Sequence, residues 1–496
     1  MMNIVHYSNR MVMASFVSYV FVLALGVLFP SQESSALGED SDLNVGEEAL
    51  QRGDYEAGIS IYTRAIETGR LPLDLKVTAY ANRGGAYFVT GRYKLAIADF
   101  TRVIRLEPKN AGAHFNRGSA YCSLGEYTKA INDFTQELRL APEDEEVYFG
   151  RGTCHLENGA YERAISDLND AIRLRPDYVA AFLNRGGAFL LSGDYDKTIA
   201  DSTKAFALQS DNAEAHLNRG VAYLSKRQKQ EALEDFNAAL RINPGYVNAL
   251  NYRGALLLSL GKYDQAIADF DEILRLNPSQ TKTYYNRGGI FAKLGQYDKA
   301  IADYSELIRM ESDDFEVFYN RGTMYFQKGA YDKAIVDFST AIRLKEDFAQ
   351  GYVGRGTSYF ILGEFYDAAA DFSLYLKHEP KNAYGIMWMW IANGKLGHKN
   401  DKELKRFAKN LDLRKWPAQL VALYVGELSA EQVRSAISGD DKNIRDCQAD
   451  FYIGEHELLS NDKNRAKVLF EKAADTCAKD QVEQRAAVSE LTRMGK

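Results

Sequence analysis

Arginine and aspartate recur in this chain at a spacing that suits either ion pairing or the binding of an anion. An Arg-Gly pair appears every 34 residues from Arg83 to Arg355, and an aspartate follows each of these arginines by 16 residues. A row of guanidinium groups can bind an anionic ligand, but here each one comes with a carboxylate that cancels its charge. The spacing therefore favours structural ion pairs, and Arg83, Asp99, Arg219 and Asp235 are among the residues expected to form them.

Side chains of catalytic type show no pattern that supports a reaction. The seven histidines are scattered, and none has a second ligand at the spacing of a metal site. The chain contains no glycine-rich phosphate loop, no nucleophile elbow and no Cys/His cluster. Its net charge of -7 gives no basic field that would attract nucleic acid. The sequence thus predicts no enzyme activity, no cofactor, no metal site and no nucleic-acid partner.

The constant period defines the elements that must position these side chains. Nine units of 34 residues fill residues 77–382, and a degenerate unit occupies residues 39–76. Small and aromatic residues recur at fixed positions of each unit; in the first full unit they are Gly84, Tyr87, Gly91, Tyr93, Ala96, Phe100 and Pro108. This pattern resembles the tetratricopeptide repeat, which has two antiparallel helices per unit. The resemblance implies an all-α fold, a right-handed α-solenoid of about ten helix pairs.

Such a helix pair would bring the arginine and the aspartate to the same height. The arginine lies eight residues before the turn and the aspartate eight residues after it, so equal rises along two facing helices bring them level. The spacing leaves open whether each arginine meets the aspartate of its own repeat or that of a neighbouring repeat.

The resemblance also implies a ligand surface. In this family the first helix of each repeat lines a concave groove, and positions 2, 5, 6, 9, 12 and 13 approach the ligand. An asparagine amide at position 6 could clamp the backbone of an extended peptide, because it offers a donor and an acceptor together. The alternative is that asparagine is simply common at this position. The predicted peptide-binding residues are Asn82, Asn116, Asn184, Asn218, Asn286 and Asn320 at position 6, with Phe115, Phe149, Tyr285 and Tyr319 at position 5.

The first 36 residues have the pattern of an export signal. Residues 11–29 form a 19-residue run without charge, and Ser34-Ser35-Ala36 offers small residues for cleavage. We expect residues 1–36 to be a signal peptide, or a signal anchor if the segment is not cleaved. Either alternative predicts an exported chain, periplasmic or anchored in the membrane and facing the periplasm. Contact with a membrane would come only through this segment.

Four cysteines make disulfides permissible in an exported protein. Cys447 and Cys477 lie about fifteen residues on either side of a turn centred on residues 460–463, so a helix hairpin would bring them level and let them pair. Cys122 and Cys154 fall on apolar faces of adjacent repeats. For these two, the simpler expectation is a pair of small buried apolar side chains.

The last 114 residues lose the period but keep helical character. Residues 384–396 are strongly apolar and could cover the open end of the solenoid, as terminal capping units do. Ser429 and Gln432 have the spacing of a capping box. We therefore expect a helical C-terminal module over residues 383–496.

Several segments of this module resemble the new lipoprotein I family of Gram-negative bacteria. The matching segments are IMWMWIA at 386–392, VALYVGELSAEQ at 421–432, DFYIGEHELLSNDKNRAKVLFEKA at 450–473 and VEQRAAVSEL at 482–491. The resemblance implies a helical adaptor that faces the periplasm, is often a homodimer and has no activity of its own. The lipid anchor of that family is not expected here, because the first cysteine is Cys122.

These observations predict a non-enzymatic scaffold of the bacterial cell envelope. It would hold extended or helical segments of other proteins in a concave groove. The alternative is a membrane-tethered assembly factor for secretion or polysaccharide export, which would keep residues 11–29 in the mature protein.

Overall fold

The fold is all-α. A computed structural model describes residues 39–310, 313–398 and 401–495, and every regular element within these ranges is an α-helix. The expected signal segment, residues 1–36, lies outside the described residues. The prediction of an all-α solenoid built from consecutive helix pairs is confirmed.

The first compact unit extends to Leu276 and contains seven helix pairs, in which each helix packs against the next along the chain. Its helices are α1 (Glu39–Gln51), α2 (Tyr55–Glu67), α3 (Leu73–Val89), α4 (Tyr93–Leu106), α5 (Ala111–Ser123), α6 (Tyr127–Leu140), α7 (Glu145–Glu157), α8 (Tyr161–Leu174), α9 (Val179–Ser192), α10 (Tyr195–Leu208), α11 (Ala213–Ser225), α12 (Lys229–Ile242), α13 (Val247–Ser259) and α14 (Tyr263–Leu276).

The second compact unit begins at Asn277 and contains three further pairs followed by seven helices of the C-terminal module. Its helices are α15 (Thr281–Lys293), α16 (Tyr297–Arg309), α17 (Phe315–Gln327), α18 (Tyr331–Leu344), α19 (Ala349–Leu362), α20 (Phe365–His378), α21 (Ala383–Lys395), α22 (Asp401–Ala408), α23 (Ala418–Val425), α24 (Ala430–Ser435), α25 (Lys442–Leu459), α26 (Lys463–Thr476) and α27 (Val482–Gly495).

Glycine and an aromatic ring determine how the two helices of a repeat meet. A Cβ added to Gly220 would lie 2.7 Å from the Phe236 ring, so only glycine lets α11 and α12 approach this closely. A second glycine makes the turn between the helices. Gly91 has a φ of 73°, a left-handed conformation that glycine adopts at little cost.

Two local features differ from the regular repeat. Residues 73–76, the last four of the segment expected to hold the degenerate first unit, form the first turn of the longer helix α3. Between α11 and α12, Arg227 takes the left-handed conformation, with a φ of 63°, that glycine takes in the other full repeats. A residue with a Cβ is strained in this conformation.

The C-terminal module covers the last repeat. Trp388 on α21 contacts Phe360 and Phe372, with ring centroids 4.9 Å and 5.8 Å apart, and also packs on Phe451 of α25, with centroids 5.3 Å apart. The capping box of Ser429 and Gln432 at the start of α24 is present. The apolar segment therefore extends the core of the last repeat into the module.

All four cysteines form disulfides. Cys447 joins Cys477 between α25 and the end of α26. Cys122 joins Cys154, so the expectation of two unpaired thiols is wrong, although both side chains are buried as expected. The Cys122–Cys154 bond connects the first helices of two adjacent repeats, α5 and α7, whose Cα atoms at these residues are 5.9 Å apart.

Candidate functional site

A groove of about 590 Å³ opens in the second unit between the first helices of two consecutive repeats, α17 and α19. The lining residues on each helix are three or four positions apart, or adjacent, so they share one face of that helix. They are Tyr319, Thr323, Phe326 and Gln327 on α17, and Gln350, Val353, Gly354 and Thr357 on α19. In the 34-residue frame these are positions 5, 9, 12 and 13 of one repeat and 2, 5, 6 and 9 of the next.

The second helices of the two repeats complete the groove. Phe338 from α18 and Tyr375 from α20 contribute rings to its lining. Gly354 lets α19 approach the Phe338 ring closely, because a Cβ there would lie 2.7 Å from that ring. Glu379 and Asn382, which flank the loop after α20, also line the groove, as does Val482, the first residue of α27.

The groove is aromatic and mostly uncharged. Burial raises the pKa of the Tyr319 hydroxyl, and burial together with the negative charge of Glu379 raises the pKa of Tyr375. Both phenols therefore stay protonated at neutral pH and can donate hydrogen bonds. Gln350 adds an amide group of the kind that can pair with a peptide backbone, whereas the amide of Gln327 already bonds Asp480 and Arg485.

The predicted asparagines do not form one exposed row. Three of the six are buried, two are half-buried and one is exposed: in that order, Asn82, Asn184 and Asn218; Asn116 and Asn320; and Asn286. Asn82 donates to the hydroxyl of Tyr62 at 3.1 Å, and Asn184 donates to the hydroxyl of Thr153 at 2.8 Å. The buried amides thus serve contacts inside the solenoid. Peptide binding through Asn286 and the half-buried members stays a prediction.

Where position 6 is buried, it faces the second helix of the preceding repeat. At Gly150, which occupies this position, a Cβ would lie 3.1 Å from the Phe134 ring. At Tyr252, the ring stacks on Phe236 with centroids 5.7 Å apart. The frame of the repeat therefore places position 6 between repeats, and positions 5 and 9 closer to the groove.

The four predicted aromatic residues have different environments. Tyr319 lines the groove between α17 and α19. Phe115 and Phe149 pack against Phe134 and Tyr178, at centroid distances of 5.6 Å and 4.8 Å. Tyr285 is half-buried and donates to Glu316 at 3.2 Å. Of the ten predicted peptide-binding residues, only Tyr319 belongs to the groove.

The arginines form ion pairs with the aspartates of their own repeats. Arg83 donates from Nε and Nη2 to the two carboxylate oxygens of Asp99, both at 2.8 Å. Arg219 does the same to Asp235 at 2.9 Å and 2.8 Å. Although burial alone would raise the pKa of Asp235, hydrogen bonds from His216 and Arg219 hold that pKa below its usual value. These arginines are therefore neutralised inside the protein.

Sequence reasoning missed a third partner of each arginine. The remaining nitrogen, Nη1, donates to a side-chain oxygen at position 25 of the preceding repeat, for example from Arg83 to Thr63 at 3.0 Å and from Arg253 to Asn237 at 2.8 Å. The signal is present in the sequence, because position 25 is always Thr, Ser, Asn or Asp. The guanidinium thus joins two repeats as well as two helices.

Family models match most of the repeat region of the chain, in segments between residues 46 and 348. A model of the tetratricopeptide repeat matches residues 46–111, 87–145, 115–178 and 149–202, and another matches residues 213–246, 247–280 and 315–348. A model described as TPR repeat matches residues 288–329. The chain belongs to the tetratricopeptide repeat family. This fold indicates a scaffold for protein–protein interaction, and tetratricopeptide repeat proteins are typically non-catalytic.

Several solved structures are similar to parts of this tetratricopeptide repeat protein. One is a tetratricopeptide repeat protein from Parabacteroides merdae, 19% identical, with a TM-score of 0.44 over 51% of this chain and 98% of that chain. YrrB, described as a TPR protein with an unusual peptide-binding site, is 23% identical, with a TM-score of 0.33 over 39% and 97%. The TPR domain of P58(IPK) is 22% identical, with a TM-score of 0.22 over 66% and 98%.

Two other kinds of site are absent from the described residues. Within residues 39–310, 313–398 and 401–495, no three His, Cys, Asp or Glu side chains cluster in a way that could hold a metal ion. In the same part of the chain, no helix is long and apolar enough to cross a membrane.

Proposed function

We propose that this protein is a scaffold of the bacterial cell envelope that holds segments of partner proteins in the groove between α17 and α19. The observation that carries the proposal is the set of lining residues. Eight of them occupy the positions through which first helices contact ligands in this family, and they come from two consecutive repeats. A partner segment in this groove would contact aromatic rings with its side chains and amide groups with its backbone.

Export is supported by the cysteines and by the N-terminal residues. Both cysteine pairs form disulfides, and such bonds persist in oxidising compartments but are rare in the cytosol. The uncharged run of residues 11–29 has the length and flanks of an export signal. We propose a periplasmic location, or a membrane-anchored one facing the periplasm. The resemblance of the C-terminal module to the new lipoprotein I family supports an adaptor role and a homodimer.

A second candidate is a membrane-tethered assembly factor for secretion or polysaccharide export. The 19-residue uncharged run favours it, because a run of this length can also span a bilayer if it is not cleaved. N-terminal sequencing of the mature protein separates the two functions. A chain that begins at Leu37 is a free scaffold, and a chain that retains residues 11–29 is tethered.

Site-specific photo-crosslinking in the native host tests the groove. A photoreactive phenylalanine analogue would replace Gln350, which is exposed and lines the groove, and in a second strain would replace Val336, which is exposed on α18 outside the groove. We expect adducts with a small set of proteins from position 350 and none of these from position 336. The same adducts from both positions, or none from position 350, would rule out the groove.

A further inference from the structure

The groove has the features of a pocket for a positively charged side chain. Tyr319, Phe326, Phe338 and Tyr375 surround it, and the rings of Tyr319 and Phe338 lie 5.7 Å apart at their centroids. Aromatic faces attract ammonium and guanidinium groups because the ring quadrupole presents negative charge above the plane. Aromatic rings alone would also bind apolar side chains, so a second feature must distinguish a positively charged ligand side chain from an apolar one.

The charge of the groove lining favours a cation. Glu379 is the only charged residue among the described residues that line the groove, and its side chain is exposed. It is also the C-terminal cap of α20, where the unpaired backbone carbonyls carry a partial negative charge. Carboxylate and helix end therefore act in the same direction. The described lining contains no lysine, arginine or histidine, and a cation at its edge, Arg485, donates to oxygens of Gln327.

The chain itself shows how this surface binds a guanidinium. Arg485, on α27, places its guanidinium carbon 5.7 Å from the centroid of the Phe326 ring. Its Nη2 donates to the backbone carbonyl and to the side-chain oxygen of Gln327, both at 2.8 Å. Phe326 and Gln327 both line the groove. Arg485 thus occupies one edge of the groove, where oxygens of Gln327 at the C-terminal end of α17 accept hydrogen bonds from its guanidinium.

We propose that the groove takes a lysine or arginine side chain of the bound partner segment. The aliphatic part of that side chain lies between the rings of Tyr319, Phe338 and Tyr375, and its charged end points toward Glu379 and the end of α20. The amide of Gln350 and the amide nitrogen of Asn382, whose oxygen caps α21, remain for the partner backbone. The inference rests on the proposed function, because it names the chemistry of the segment that the groove holds.

The test starts from peptides selected on the full mature chain from a random 12-residue display library. Each selected peptide is then synthesised in matched forms, with arginine replaced by citrulline or lysine replaced by norleucine. We expect the neutral forms to bind about tenfold more weakly, the size expected for one desolvated cation–π contact aided by a carboxylate. In the Glu379→Gln protein, the preference for the charged form should fall from about tenfold to about threefold, because an exposed carboxylate contributes modestly and the aromatic rings still attract the cation. Glu364→Gln, at the other end of α20, is the matched control and should keep the preference.

Two results separate this inference from the proposed function. If the peptides lose affinity for a Val353→Trp protein but bind equally in charged and neutral forms, the groove is the binding site and the preference for a cation is wrong. If no selected peptide is sensitive to Val353→Trp, or no peptide is selected, both the proposed function and the inference are overturned.

Discussion

At the scale of single residues, the repeat arginines stabilise the fold through hydrogen bonds from the nitrogens of their guanidinium groups. In the repeat that begins at residue 247, Arg253 bonds both carboxylate oxygens of Asp269, at 2.9 Å and 2.6 Å, and the side chain of Asn237. Asp269 is 3% exposed and Arg253 is 25% exposed. Removing one partner of such a pair leaves the other charge buried without compensation.

We therefore predict that Arg253→Met destabilises the protein by about 3 kcal/mol, the lower end of the range for a broken buried pair, because the arginine is partly exposed. Adding Asp269→Leu should restore most of this loss, since two apolar side chains can replace a buried ion pair at little cost. Thermal unfolding of the two single variants and the double variant measures both effects. A double variant as unstable as the sum of the single variants would contradict the account.

One buried carboxyl has no such partner. Glu137 is 4% exposed, and its Oε2 has no hydrogen-bond partner among the described residues. Burial, with a smaller contribution from the charge of Asp144, raises the pKa of Glu137 from 4.5 to about 9. The folded protein therefore favours the protonated form. The stability that protonated Glu137 contributes is complete at pH values below the pKa of this carboxyl in the unfolded chain. It is lost as the pH rises from about 4.5 toward about 9.

Glu137→Gln should remove this pH dependence. At pH 8 we expect the variant to be more stable than the wild type by about 2 kcal/mol, because folding must keep the buried carboxyl protonated above its unfolded pKa whereas the amide is neutral at every pH, and at pH 4.5 we expect the two to be nearly equal. Melting temperatures at both pH values measure the difference. Glu162→Gln, an exposed substitution in the next repeat, serves as the control and should change neither value. An equal effect of Glu137→Gln at the two pH values would show that charge is not the cause.

At the scale of elements, the turns are the positions where one residue type determines local stability. In all the full repeats except one, glycine makes the turn between the two helices. In the exception, between α11 and α12, Arg227 makes the turn with a φ of 63°. The preceding repeat is also less tightly packed. Ser202 replaces the usual ring, and a Cβ on Gly186 would have 3.4 Å to its nearest neighbour, against 2.7 Å at Gly220. These two repeats should therefore open more readily than their neighbours.

Arg227→Gly should stabilise the turn between α11 and α12. The left-handed conformation costs a residue with a Cβ roughly 1–2 kcal/mol, and glycine removes this strain. About half of that gain in stability is lost, because glycine has more conformational freedom in the unfolded chain. We predict a net gain of about 0.5–1 kcal/mol and slower hydrogen exchange in α11 and α12. The converse substitution, Gly261→Ala, should cost about 1 kcal/mol, since Gly261 has a φ of 72°. A loss of stability in Arg227→Gly would contradict this interpretation.

The sequence predicts the elements better than the site. Period, turn glycines and the Arg-Asp spacing are local properties, so they predict the helix pairs and place Arg83 level with Asp99. The direction in which a side chain points depends on the neighbouring repeat. For this reason the sequence could not show that Asn184 and Asn218 are buried, or that Cys122 and Cys154, 32 residues apart, meet across two helices. The sequence reasoning did not predict the partner of Nη1, although every repeat has an oxygen-bearing side chain at position 25.

The groove residues were within reach of sequence reasoning. Thr323, Gln327, Gln350 and Val353 occupy family ligand positions, but they vary between repeats and form no column, whereas the asparagines do. A repeated residue in a solenoid more often serves the repeated contact between units. A ligand site needs the opposite, a local set of side chains that differs from the other repeats.

At the scale of the whole molecule, we propose that the second unit binds partners, while the repeated contacts stabilise both units. The C-terminal module has a part in this site, because α27 contributes Val482 to the groove and fixes its edge through Arg485. A scaffold of this kind needs a groove that is formed before the partner binds, since ordering it on binding would reduce affinity.

The most direct test is affinity capture from envelope extracts with two matched variants. Val353→Trp fills the groove with an uncharged ring, and Val336→Trp makes the same substitution on α18, where the side chain is 64% exposed. Both variants should melt within a few degrees of the wild type, which confirms that each is folded. We predict that Val353→Trp loses the captured partners at least tenfold and that Val336→Trp retains them. Equal capture by the two variants would contradict the assignment of partner binding to this groove.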